Sequence, residues 1–144
     1  MTIPHTNIGW RMLLLASGAS LFIWLMLEDT QLLPLLMLCL LAAVLFLLNP
    51  VLRRFAGIKT SPILFLASAT MLGGLIGAGT ALLAALMMFL KTAWHSHIFP
   101  DYPVPMMIAM LERLPIWAIV GLALGASFGL FSHAIYYGVS VARA

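Results

Sequence analysis

Few residues in this chain are of a type that could do chemistry, and they fall in three places. His95 and His97 stand in the run WHSH, with Asp101 shortly after them. His133 sits alone in a long apolar run, and Cys39 is the single cysteine. A His-x-His pair in a loop has free geometry and can ligate a metal. On a helix, two residues apart is the wrong face for chelation. A zinc site takes three or four ligands, and no further His or Cys lies near in sequence. The stronger reading of His95 and His97 is therefore a pair of polar residues at a helix end. Metal ligation is the weaker reading, and contact with a partner or a pigment the third.

His133 is the one ionisable residue well inside an apolar span. Such a group is costly in lipid and marks a functional site by default. It continues the row Gly121, Gly125, Gly129, and a four-residue period keeps residues on nearly one helix face. His133 thus points into a helix contact. It lies about 25 Å by helical rise from the far end of its span, so it cannot join His95 or His97 in one site. A haem with two His ligands would need a second His inside a span of this chain, and the sequence has none. A single axial imidazole would serve a chlorophyll-type magnesium, or a haem shared with another subunit. Gly129 would leave a gap above the imidazole, and Tyr136-Tyr137 would supply aromatics below it. The plainer reading bonds His133 to a backbone carbonyl or a hydroxyl of a neighbouring helix. The sequence names no cofactor; lipid and a porphyrin-type pigment are the candidates it leaves.

No nucleophile–base pair, phosphate loop, dinucleotide glycine motif or catalytic carboxylate pair occurs, so the chain does not read as an enzyme. Glu28-Asp29 are adjacent in a turn and read as a solvated marker of topology. Cys39, alone in a leucine-rich run, can form no internal disulfide and reads as a small apolar side chain.

The elements that carry these residues follow from composition. The chain has 144 residues, 64% of them hydrophobic and 8% charged, with mean hydropathy +1.13. Soluble domains carry about 25% charged residues. The expectation is an all-α, polytopic integral membrane protein, one domain over residues 1–144. Its formal charge of +3 comes from cations beside apolar runs, which argues against a nucleic-acid partner and for the lipid bilayer.

Four apolar runs are expected to cross, at about 9–27, 32–52, 62–90 and 115–138. The first ends WLMLED without a small-x-small cleavage site, so it reads as an uncleaved span rather than a signal peptide. Asn49-Pro50 marks the expected end of the second, since the residue before proline avoids the helical region. Ser61-Pro62 opens the third as N-cap and first residue. From Pro62 to Leu90 that helix would be about 43 Å long, more than the roughly 30 Å hydrocarbon core. It must tilt, protrude or break, and Gly73-Gly74 is where a break is cheapest. Residues 91–115 read as a loop holding one short interfacial helix, Met106 to Arg113, too short to span and too apolar to float in water.

Arg11, Arg53, Arg54, Lys59 and Arg143 fall on one side of these spans, Lys91 and Arg113 on the other. The side richer in Lys and Arg should be cytoplasmic. This predicts a multi-pass protein of the cell inner (plasma) membrane with both termini cytoplasmic.

Small residues recur every fourth position at Ala69, Gly73, Gly77, Ala81 and Ala85, and again at Gly121, Gly125 and Gly129. In lipid such stripes let helices approach closely, and close packing drives their association. The pattern leaves open whether spans three and four meet each other or another chain. The leucine-rich second span suits lipid or a partner's apolar surface. With no self-contained chemistry, the leading expectation is a structural or accessory subunit of a larger membrane complex, with other membrane subunits as partners. The alternatives are a small homo-oligomeric transporter or channel, and a pigment- or haem-binding subunit with His133 as axial ligand.

Overall fold

The computed structural model describes residues 8–27, 30–55, 57–58, 60–95 and 100–141. It is all-helical over those residues: α1 (Ile8–Met26), α2 (Leu32–Phe55), α3 (Pro62–His95), α4 (Val104–Glu112) and α5 (Leu114–Val141). Four of these, α1, α2, α3 and α5, are long and apolar enough to cross a membrane. The fifth, α4, has 9 residues and reaches about 14 Å, too short to cross.

Local chemistry explains most of the boundaries. The Ser61 hydroxyl accepts a hydrogen bond from the Leu64 N–H at 3.3 Å, which satisfies one of the orphan donors at the start of α3. Pro62 follows at the first helical position, where a missing N–H costs nothing. Pro103 and Pro105 bracket the start of α4 in the same way, with Pro103 extended at φ −67° and ψ 144°. The Arg113 N–H donates back to Ala109, and the Trp117 N–H donates to the Arg113 carbonyl. So a single residue, Arg113, separates α4 from α5. After α2, Gly57 adopts φ 77°, a left-handed conformation that glycine takes without steric cost.

Helix α3 is the centre of the molecule and touches every other helix. Its largest contact is with α5 and its next with α2, whereas α1 leans mainly on α2 and meets α3 little. The best-buried core gathers at one end of the bundle, around Trp24, Leu35, Cys39, Ala84, Met88 and Tyr102. There the end of α1, the start of α2 and the last turns of α3 converge with the segment leading into α4.

Four boundaries differ from the sequence expectation. Helix α2 does not stop at Asn49-Pro50 but runs through Pro50 to Phe55. Proline removes one helical bond and only biases the residue before it, so a helix that is well packed earlier can continue. Helix α3 does not break at Gly73-Gly74; it is continuous for 34 residues, about 51 Å. Both glycines are pressed against α5, which removes the freedom that would have made a bend cheap. Helix α3 also continues past Leu90 to His95, so Lys91 and His95 are helical rather than in the loop. The short helix begins at Val104, two residues earlier than the apolar run suggested.

Candidate functional site

The tightest structure in the molecule is the seam between α3 and α5. A Cβ added at Gly73 would collide with the Gly121 carbonyl oxygen and lie 2.9 Å from the Gly125 Cα. One at Gly77 would strike the Trp117 carbonyl, one at Gly121 the Gly73 carbonyl, and one at Gly125 the Ala69 carbonyl. Each four-residue step along α3 is matched by a four-residue step back along α5, so the helices run antiparallel in one constant register. The missing Cβ atoms let backbone meet backbone. The Cα–H groups then face carbonyl oxygens, as in the weak hydrogen bonds found where helices cross closely. Gly129 extends the seam against Leu66 and Ala69. Ala81, on the same row of α3, is fully buried in the core.

At the core end lies a polar cluster that the sequence analysis missed. Lys91 is wholly buried, and its Nζ stands 4.0 Å from the centre of the Trp24 ring. The same ammonium donates to the Trp24 carbonyl at 3.4 Å. That carbonyl belongs to the last turn of α1, where unsatisfied C=O groups make the helix end partially negative. A cation there gains from the helix dipole by up to about 2 kcal/mol when partly buried, and a desolvated cation–π contact adds about as much. Against these stands the cost of desolvating an ammonium, several kcal/mol. The cluster is therefore specific in geometry more than strongly stabilising.

Tyr102 completes it. Its ring lies 6.4 Å from that of Trp24, tilted by 32°. Its N–H donates to the Thr92 hydroxyl oxygen at 3.1 Å, and that hydroxyl donates to the Tyr102 carbonyl at 3.4 Å. One turn later on α3, His95 Nδ1 bonds Asp101 Oδ2 at 2.6 Å. Both contacts hold Asp101 and Tyr102 against the last turns of α3. A signal for Lys91 was present in the sequence: it lies three, four and seven residues after Met88, Met87 and Ala84, all buried. Its place at the end of an apolar run makes it read as a flanking charge instead.

The other candidates fall apart in space. His97 and Lys59 lie outside the described residues, as do Glu28-Asp29, Arg143 and the side chains of Tyr136-Tyr137. His95 is engaged with Asp101, and among the described residues no group of three His, Cys, Asp or Glu could hold a metal. His133 is half-buried on α5. The seam's register puts it level with the start of α3, the opposite end of that helix from His95. The space beside Gly129 is filled, with the Leu66 Cδ1 2.8 Å from where a Cβ would stand. Arg11, in the first turns of α1, is exposed, as are Arg53 and Arg54 in the last turn of α2.

Between α1 and α3, with α2 as its floor, runs an apolar groove of about 480 Å³. Leu14, Ser17, Gly18 and Leu21 form one bank, and Gly79, Leu82 and Leu86 the other. The Ser17 hydroxyl on its wall is bonded to the Leu14 carbonyl at 2.9 Å. The chain matches no known family model, no curated protein and no solved structure.

Proposed function

We propose that this chain is a four-span integral membrane protein that serves as a structural or accessory subunit of a larger membrane complex. Helices α1, α2, α3 and α5 are the spans, and α4 lies at the interface. The membrane is the cell inner membrane, with both termini on the cytoplasmic side. Arg11, Arg53 and Arg54 mark that side, since cations near the spans concentrate there.

One observation carries the accessory reading. The buried serine, threonine and lysine among the described residues each turn their polar group onto a backbone carbonyl. Ser17 bonds Leu14, Thr80 bonds Ile76 at 2.8 Å, and Lys91 bonds Trp24. None of these three lines a shared polar cavity. A transporter's solute site would place convergent polar groups near the bilayer midplane; Ser17 and Thr80 instead turn their hydroxyls onto their own helices, and Lys91 turns its ammonium onto the end of α1. The outward faces are apolar along their length, as at Ile119, Leu124, Phe128 and Phe131 of α5. Such faces suit lipid and the apolar surfaces of other membrane subunits.

Native mass spectrometry of the particle extracted from its own membrane in mild detergent tests this. The accessory reading expects other subunits in fixed ratio with the chain. Particles containing only multiples of the 15.7 kDa chain would overturn it in favour of a self-assembling transporter or channel.

A further inference from the structure

We propose that the Lys91–Trp24 contact is a latch that holds α1 against α3, and that the far end of α1 swings away from α3 when the latch is released.

Three observations combine. First, Leu14, Ser17, Leu21 and Trp24 follow one another at three- or four-residue spacing, so they share one face of α1. The first three line the groove, Leu21 also packs against the buried core, and Trp24 belongs to it. Helix α1 therefore faces α3 along much of its length across an open apolar wedge that closes at Trp24. Second, the attachment at that closed end is polar and specific. The Lys91 ammonium, wholly buried, sits over the indole ring and bonds the carbonyl of the same residue. It thus engages side chain and backbone of Trp24 together. Third, the wedge itself is loosely filled. Nothing stands within 4 Å of where a Cβ at Gly18 would project, and one at Gly79 would meet only ordinary contacts, 3.6 Å from the Leu47 Cδ1 and 3.9 Å from the Ala43 Cβ, both on α2. Ser17 and Ser20 satisfy their hydroxyls within α1.

The consequence is mechanical. Helix α1 has 19 residues and is about 28 Å long. Its C-terminal end is tied to α2 through the chain, which enters α2 at Leu32, and to α3 by Lys91. Loss of the second tie lets the N-terminal end move most, and the groove width follows. The seam between α3 and α5 stays fixed, because backbone meets backbone along it at every turn.

Electron–electron double resonance measures this directly in the full chain, with Cys39→Ala as background. Spin labels go at Leu13→Cys on α1 and Leu75→Cys on α3, both exposed. A control pair, Leu75→Cys with Phe131→Cys, reports on the seam; Phe131 is also exposed. With Lys91 present, the α1–α3 distances should form one narrow distribution. Lys91→Met, which keeps an unbranched side chain and loses the ammonium, should broaden it and shift it to longer distances while the control pair is unchanged. Lys91→Arg, which keeps a cation able to stack on the ring, should stay narrow. A Lys91→Met distribution superimposable on the parent's overturns the latch. If Lys91→Met also broadens the control pair, Trp24→Leu is read in its place with the same two outcomes. Broadening of the control pair by both variants makes the contact a determinant of the whole fold, and overturns the proposal as well.

Discussion

Helices α3 and α5 are joined by shape, whereas α1 is joined to α3 by one polar anchor. Along the seam, glycines on both sides remove every side chain that could separate the backbones, and the contact repeats at each turn. Along the wedge, leucines line both banks, the glycines face open space or loose contacts, and a specific tie joins α1 to α3 at the closed end, Lys91 on Trp24. Both arrangements answer the same constraint. Lipid tails are as apolar as leucine, so helices in a membrane are not driven together by burying apolar surface. They need either close backbone packing or a polar group whose alternative is worse. The lesson is that a glycine's meaning lies in what it faces: Gly77 and Gly18 are both small residues in apolar helices, with opposite surroundings.

The contrast can be broken most severely at the seam. Gly125→Leu would drive a large side chain into the Ala69 backbone, and neither helix can yield without losing the register. The expected outcome is loss of extractable folded chain, read by size-exclusion chromatography in detergent. Gly77→Ala or Gly121→Ala places a single methyl against a backbone carbonyl. Overpacking of this kind costs about 1–3 kcal/mol, measurable as reduced resistance to denaturant. Next comes the His95–Asp101 pair, which is 16% exposed on both side chains. His95→Ala should cost no more than about 1 kcal/mol, as for partly exposed ion pairs, with its effect confined to hydrogen exchange near Thr92 and Tyr102. The smallest effect, and the opposite sign, is expected on the wedge. Gly18→Ala meets no atom and removes a flexible residue from a helix interior, a gain of about 0.5–1 kcal/mol.

Much of the helical layout was legible because apolar runs and proline positions mark helix starts. The four long helices begin at Ile8, Leu32, Pro62 and Leu114, each within a residue of its expected start. Their ends were less legible, for a physical reason. Hydropathy reports where a helix would leave lipid, but backbone hydrogen bonding has no need to stop there, so α3 carries on through Lys91 to His95 and α2 through Pro50. The four-residue rows of glycine were plain, yet spacing says which face is small and not what covers it. Only the fold sets Gly73 against Gly121 within one chain. Lys91 was obscured by its neighbours. A lysine at the end of an apolar run reads as a charge at the membrane edge, and its burial depends on Trp24 and Tyr102, distant in sequence and brought to it by the fold.

The most direct test of the contrast compares two single methyl groups. Gly77→Ala and Gly18→Ala are made in the full chain, and thermal unfolding of each is followed in the same detergent. The account predicts a clear drop in midpoint for Gly77→Ala and an unchanged or raised midpoint for Gly18→Ala. Equal midpoints, or a larger loss at Gly18, would contradict the claim that α3 and α5 are held by backbone contact while α1 stands across an open wedge.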